Sequence, residues 1–294
     1  MLLSNLSKSI NIQKSYNFSE NSTFKYITSN SKLTDNKTIY IYNSNNNSKI
    51  KYVKEAVKNK VPAIISNKFI KKIKIPQFIV SDINLESEKI LKLIHKNLPS
   101  KIIAVTGTNG KTTVVWYISQ ILTLLNYNNS SVGTLGYFKN CVKKEEIGLT
   151  TPAYEELYRY GSSYKKVDNI YIFEASSHAL DQNRLRKYPI DIAAITNISN
   201  DHLDYHKNIL NYKKSKFKLF TKHLSKTGSA VINSRIKNIS KLIKKLLNNK
   251  IVINFFGRKF IYLERKFDKI VLNLYEKKYI IKKLNLNTDI ELEN

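Results

Sequence analysis

The decapeptide AVTGTNGKTT, Ala104 to Thr113, sets two glycines, a lysine and a threonine pair in an order that suits a bound polyanion. Gly107 and Gly110 free the backbone to turn its N–H groups toward an anion. Lys111, at the start of a helix, reaches outer phosphates, and the Thr112 hydroxyl can hold Mg2+. Thr108, Asn109 and Thr113 complete a loop suited to a nucleoside triphosphate. The strict phosphate-loop pattern has a glycine five residues before the Gly-Lys pair; this chain has Val105 there and carries a variant. An ordinary glycine turn would account for the glycines but not for Lys111 and the threonines after it.

Two further segments carry chemistry beyond strand-like runs. Ile170 to Phe173 reads as a buried strand ending on Glu174, a carboxylate placed to bind Mg2+ directly or through water, with Ser176, Ser177 and His178 following. Ile192 to Thr196 reads as another strand. It leads into Asn197, Asp201, His202, Asp204 and His206, which suits either a ligand site or an Asn- and Asp-rich surface loop. In a helix from Ile209 to His223, Lys216 lies within the stripe of Ile209, Tyr212, Leu219 and Phe220, while Lys214, Lys218 and Lys222 project elsewhere. Such a lysine must snorkel, pair or be chemically altered, and snorkelling is the commonest outcome.

The elements that must position these groups follow from periodicity. Ile102 to Val105 predicts the strand before the glycine loop. Val114, Ile118, Ile121 and Leu125, with Val115 and Leu122, predict the helix that begins near Lys111. Ahead of them, strands at Thr38–Tyr42, Ala63–Ser66 and Gln77–Val80 alternate with helices bearing Ile50, Val53 and Val57, then Ile90, Leu91 and Ile94. A polar turn covers Asn43–Ser48, and Pro99 and Ser100 mark a boundary. Beyond the loop helix the pattern predicts a strand at Ser131–Tyr137 and a helix with Pro152 in its first turn, capped by Thr150 or Thr151. Next come a strand at Gly228–Asn233, a helix at Ile236–Leu247 and a strand at Ile251–Phe255. Alternating segments at Phe260–Leu263, Lys269–Tyr275 and Tyr279–Leu284 predict an antiparallel tail. The fold class is α/β: a small N-terminal α/β domain over residues 1–98, then a mostly parallel-sheet phosphate-loop domain over 99–294.

The charge of +28 comes from 50 Lys and Arg against 22 Asp and Glu, and the lysines are scattered among Asn and Ile with no dominant basic block. No RNA- or DNA-binding motif accompanies them, so a nucleic-acid partner is not expected. A single cysteine, Cys141, excludes an internal disulfide framework. The opening twenty residues lack a sustained apolar core, and no apolar run reaches membrane-spanning length, so a cytoplasmic protein with no membrane partner is expected.

Four blocks in order, TGTNGKTT, LTTPA, EASSHALDQNRL and TNISNDHLDYH, followed by Lys216, resemble the Mur ligase family. TTP, SSHAL and DHLDYH point to its E-type members, which extend UDP-N-acetylmuramoyl-L-alanyl-D-glutamate. The resemblance spans Lys101 to Lys216. It is fainter at NSKLTDNKTIY, where Ser31 matches an Asp-Ser-Arg segment of the family but Asn30 and Lys32 depart. It implies a cytoplasmic ATP-dependent ligase of peptidoglycan precursor synthesis that adds a diamino acid through an acyl phosphate. Gly107 to Thr112 would hold ATP, and Asn197 would lie near the nucleotide. Thr112 and Glu174 would hold one Mg2+; His202 and a carbamylated Lys216 would hold a second. Thr150, Thr151, Ser176, Gln182 and Arg184 would contact the muramoyl dipeptide, and Ser31 the uridine part. Leu149 replaces the Asn that often precedes the Thr pair. The family's C-terminal domain, and its Gly-x-(Phe/Tyr)-Asn segment expected beyond Leu292, are not found in these 294 residues. The expectation is therefore an E-type ligase that retains the UDP-substrate domain and most of the ATPase domain or, alternatively, a nucleotide- or UDP-sugar-binding remnant, inactive alone or completed by a separate polypeptide.

Overall fold

The computed structural model describes residues 1–17, 22–45, 50–162, 169–257, 261–266, 269–274 and 277–281. The chain divides into two compact units, Met1–Leu98 with Ala153–Lys165, and Pro99–Pro152 with Lys166–Asn294.

The first unit opens with α1 (Leu3–Ser9), β1 (Lys14–Tyr16) and β2 (Tyr26–Thr28). It continues through β3 (Thr38–Tyr42), α2 (Ile50–Lys58), β4 (Ile64–Ser66), β5 (Gln77–Ile79) and α3 (Ile83–Ile94). Strand order is β1-β5-β4-β3-β2, parallel except for β1, with α2 making the crossover from β3 to β4. Strands rich in Ile and Tyr supply the apolar layer. Tyr40 and Ile64 close with Val53, Ala56, Val61 and Ile70 into one buried cluster.

The second unit runs β6 (Lys101–Thr106), α4 (Lys111–Leu124), β7 (Asn129–Gly133), β8 (Gly136–Lys139) and β9 (Val142–Glu145). After α5 (Tyr154–Gly161), which belongs to the first unit, it resumes with β10 (Ile170–Glu174), α6 (Ser177–Asp181), β11 (Ile190–Ile195), α7 (Leu203–His206) and α8 (Ile209–Lys218). A π turn at Leu219–His223 leads to β12 (Leu224–Asn233), α9 (Ser240–Asn248) and β13 (Val252–Phe256). The sheet order is β13-β12-β11-β6-β10-β7-β8-β9, parallel but for β8, which runs antiparallel to both β7 and β9. A separate antiparallel sheet of β14 (Ile261–Lys266), β15 (Lys269–Leu274) and β16 (Lys277–Ile281) forms the tail. Among the described residues no helix is long and apolar enough to cross a membrane.

Several sequence expectations need correction. Ser131–Tyr137 is not one strand but a hairpin: Gly133 pairs with Gly136 around Thr134–Leu135, and Gly136 takes φ +116°, a conformation that favours glycine. The helix expected from Pro152 starts at Tyr154, where the Ala153 N–H donates to Glu156 Oε2 at 3.0 Å; Thr151 does not cap it. Residues 153–165 join the first unit, not the domain expected over 99–294. On α4 the buried side is Val115 with Val114, Ile118 and Leu122, packed around Val105 and Ile172; Ile121 and Leu125 are exposed. The strand expected from Gly228 begins at Leu224, and the helix expected from Ile236 begins at Ser240. Parts of the expected turn at Asn43–Ser48 and strands at Phe260–Leu263, Lys269–Tyr275 and Tyr279–Leu284, together with everything beyond residue 281, lie outside the described residues.

Candidate nucleotide-binding site

Strands β11, β6 and β10 are neighbours in the sheet and end nearly flush. Glu174 of β10 lies beside Val105, and Ile195 of β11 lies beside Thr106. The glycine loop after β6, Glu174 itself and Thr196–Asn197 after β11 therefore emerge from one edge of one sheet, where open α/β sheets bind ligands.

The loop is held by the segment after β11. The Thr108 N–H donates to the Asn197 carbonyl at 3.0 Å. The Asn197 side chain accepts from the Asn109 N–H at 2.9 Å and donates to the Asn109 carbonyl at 3.1 Å. Thr196 Oγ1 donates to that same carbonyl at 2.6 Å. Asn197, read from the sequence as lying near a nucleotide, is thus a brace of the loop. Gly107 is required here: at φ +150° a Cβ would sit 1.9 Å from Thr196 Oγ1. Gly110 caps α4 in the left-handed region at φ 81°.

Two ammonium groups converge on one backbone oxygen. Lys111 Nζ donates to the carbonyls of Gly107 at 3.0 Å and Thr108 at 2.8 Å, and Lys216 Nζ donates to Gly107 at 2.7 Å. Lys216 does not snorkel; it is 1% exposed, with its amine 4.3 Å from the centroid of the Tyr212 ring. Burial first, and Lys111 second, push its amine down to about 7, against the pull of Asp201. Burial also lowers Lys111, with Glu174 and Asp201 opposing. A cluster of cations with few anions to answer them suits a ligand that brings negative charge.

Glu174 is buried, and burial raises its carboxyl above the ordinary range while the Thr134 N–H and Thr112 hydroxyl pull it back. Thr112 Oγ1 donates to Oε2 at 2.9 Å and the Thr134 N–H to Oε1 at 2.7 Å. Gly133 leaves room for this carboxylate, since a Cβ there would lie 2.0 Å from Oε1. Thr151 Oγ1 donates to the Glu174 carbonyl at 2.8 Å and accepts from the Ser176 N–H at 2.9 Å; Thr134 Oγ1 donates to Thr150 Oγ1 at 3.2 Å. Glu174, Thr112, Thr150, Thr151 and Ser176 are therefore one connected set.

The remaining expected residues are placed differently. His202 is about half exposed; its Nε2 lies 3.4 Å from Asp201 Oδ2, and its ring lies 4.8 Å from His178 and 6.4 Å from Tyr212. Gln182 and Arg184 pair with each other, Arg184 Nε donating to Gln182 Oε1 at 2.8 Å, and Gln182 Nε2 donates to Tyr205 OH at 3.3 Å. Ser31 lies in the first unit, where its buried hydroxyl donates to Glu55 Oε2 at 2.6 Å. Thr113 follows Thr112 on the first turn of α4. Among the described residues no group of three or more His, Cys, Asp or Glu is placed to hold a metal ion. The neighbouring hydroxyl of Thr112 and carboxylate of Glu174 still fit Mg2+, which takes one or two protein oxygens and completes its shell with phosphate and water. Sequence reasoning missed Thr134, because the hairpin was read as a strand. It also missed Thr196, counted as the last residue of a strand, and Tyr212, counted only as stripe.

A glycine loop between β6 and α4, two convergent lysines and a carboxylate on the adjacent strand give this unit the architecture of a phosphate-loop α/β domain. The model of the Mur ligase middle domain matches residues 105–290, and the chain belongs to the Mur ligase family. It is similar to UDP-N-acetylmuramoyl-L-alanyl-D-glutamate--2,6-diaminopimelate ligases. With that of Rickettsia bellii it shares 43% identity over 173 residues, 58% of this chain and 36% of the relative. With that of Rickettsia conorii it shares 38% over 232 residues, 76% of this chain and 48% of the relative. The chain thus spans about half, or less, of the length of these curated relatives. A solved structure of such a ligase has the same fold at TM-score 0.69 and 23% identity, covering 96% of this chain and 59% of that one. The UDP-N-acetylmuramoylalanyl-D-glutamyl-2,6-diaminopimelate--D-alanyl-D-alanyl ligase of Acinetobacter baumannii aligns at TM-score 0.65 and 15% identity over 99% of this chain and 61% of that one.

Proposed function

We propose that this chain supplies the UDP-substrate and ATP sites of a cytoplasmic ligase that adds a diamino acid to UDP-N-acetylmuramoyl-L-alanyl-D-glutamate. The relatives' names favour 2,6-diaminopimelate as that amino acid. The observation that carries the reading is the convergence of Lys111, Lys216, Thr112 and Glu174 at the ends of adjacent parallel strands. A carboxylate is a poor electrophile, so its oxygen takes the γ-phosphoryl group of ATP, releasing ADP. The amine then attacks the acyl phosphate, releasing phosphate as the amide forms.

Each residue's part follows from its position. Backbone N–H groups from Gly107 to Thr112 and the ammonium of Lys111 hold the phosphates and offset the charge that gathers on the transferring group. Thr112 and Glu174 would hold one Mg2+, and His202 with Lys216 as its carbamate a second; when bound, these ions neutralise phosphate charge. Burial that brings the Lys216 amine down to about 7 leaves a neutral fraction at physiological pH, which would attack CO2 to form the carbamate and release a proton. Thr150, Thr151, Ser176, Gln182 and Arg184 orient the muramoyl dipeptide, and Ser31 in residues 1–98 the uridine part.

The test is amide formation from ATP, Mg2+, the UDP-linked dipeptide and 2,6-diaminopimelate. It is assayed with this chain alone and with a polypeptide carrying the rest of a family ligase. Product in either arm that vanishes with Lys111→Ala supports the reading. MgATP binding without product in both arms supports the alternative of a nucleotide- and UDP-sugar-binding protein, and no binding at all overturns both.

A further inference from the structure

Tyr212 touches more of the candidate site than any role as a core residue requires. It is fully buried on α8, one turn before Lys216, and an i,i+4 pair on a helix shares one face. Its ring carries the Lys216 amine at 4.3 Å, and the same ring lies 5.3 Å from His206 and 6.4 Å from His202. Its hydroxyl lies 3.1 Å from Thr108 Oγ1 in the glycine loop. That threonine oxygen also accepts from the Ser199 N–H at 3.0 Å and donates to the Ser199 carbonyl at 3.3 Å. A hydroxyl has one proton and two acceptor sites. Besides these Ser199 contacts, Thr108 Oγ1 has capacity for one hydrogen bond with the Tyr212 hydroxyl, in which either oxygen can donate.

We propose that Tyr212 is a positioning residue for nucleotide binding, its hydroxyl fixing the glycine loop through Thr108 while its ring fixes the Lys216 amine against the Gly107 carbonyl. One side chain thereby sets two of the groups that face the phosphates. The proposal rests on the nucleotide-binding reading above and adds to it a residue that never touches the ligand.

The test uses the full chain and calorimetric titration of MgADP into wild type, Tyr212→Phe, Thr108→Val and the double variant. Phe keeps the ring and its volume, so thermal unfolding should move by only a few degrees. Loss of the shared hydrogen bond should weaken MgADP by about three- to tenfold in Tyr212→Phe, and by at least as much in Thr108→Val, which also gives up both contacts with Ser199. The double variant should be no weaker than the weaker single, because both changes break the same bond. Tyr212→Leu also removes the aromatic face and should cost about a further tenfold; should that variant fail to fold, the cycle of the other three decides. If Tyr212→Phe binds like wild type, or if the two single losses multiply in the double variant, the inference is overturned while the nucleotide reading stands. If wild type binds no MgADP, the nucleotide reading fails and the inference with it.

Discussion

The two units bury opposite charge. In the second unit the ionisable groups gathered near the ends of β6 and β10 are the buried Lys216 and Glu174 and the partly buried Lys111, with amines outnumbering carboxylates. In the first unit they are carboxylates: Glu155 and Glu156 on α5, 2% and 6% exposed. Glu156 accepts from Thr28 Oγ1 at 2.6 Å, and Glu155 accepts from Ser29 Oγ at 3.0 Å. These two line a cavity of about 90 Å³ together with Asp35, His95 and Arg159. Burial, then the Glu155 charge, pushes Glu156 up to about 7, whereas burial and Lys111 push Lys216 down to about 7. The signs in stability are opposite. Glu156 stabilises the fold at pH below 4.5 and loses that contribution as pH rises toward 7. The buried Lys216 amine costs stability below 7, and that cost fades as pH rises toward 10.5. Amines crowded together with few carboxylates leave room for a ligand's negative charge, whereas Glu156, held by Thr28 and the Ala153 N–H, is answered within its own unit.

The largest expected effect that could break this contrast is on Lys111. Lys111→Ala should weaken MgATP by about 30- to 100-fold in a fluorescence titration, since it removes charge-assisted hydrogen bonds worth about 2–3 kcal/mol. Unliganded stability should hold, because the change also relieves repulsion with Lys216. A loss of stability equal to the loss of affinity would make Lys111 structural and erase the distinction. Next is Gly133→Ala, whose Cβ would meet Glu174 Oε1 at 2.0 Å. It should destabilise by about 1–3 kcal/mol in urea and blunt the Mg2+ dependence of nucleotide binding, as overpacking displaces the carboxylate. Unchanged Mg2+ dependence would remove Glu174 from the site. The smallest effect sharpens the comparison from the first unit. Glu156→Gln keeps a neutral hydrogen-bonding group, so relative to wild type it should gain about 1–2 kcal/mol as pH rises from 5 to 8. A flat difference in urea midpoints would show that Glu156 is ionised throughout.

What was legible in the sequence lies where local chemistry and topology coincide. The glycine loop, Glu174 and Asn197 each follow a strand made of apolar residues, and parallel strands bring such ends to one edge. Lys216 was legible as an oddity because helical period places it among apolar neighbours. The hairpin at Gly133–Gly136 was not, since its turn residues Thr134 and Leu135 read as a continuing alternation and only the backbone of Gly136 reverses the chain. Nor was the home of α5: its residues follow Thr151 in sequence, but their partners Thr28 and Ser29 are more than a hundred residues away. Asn197 was read toward a ligand, and its amide also braces the backbone of Asn109. An amide can brace or bind, and sequence does not distinguish the two.

The central claim is that phosphates and a divalent cation meet at the ends of β6 and β10. Crystals of this chain grown with Mn2+ and a non-hydrolysable ATP analogue test it most directly. An anomalous peak between Thr112 Oγ1 and Glu174, with the terminal phosphate against Lys111 Nζ, is the predicted result. Nucleotide bound elsewhere, with no anomalous density beside Glu174, would contradict it.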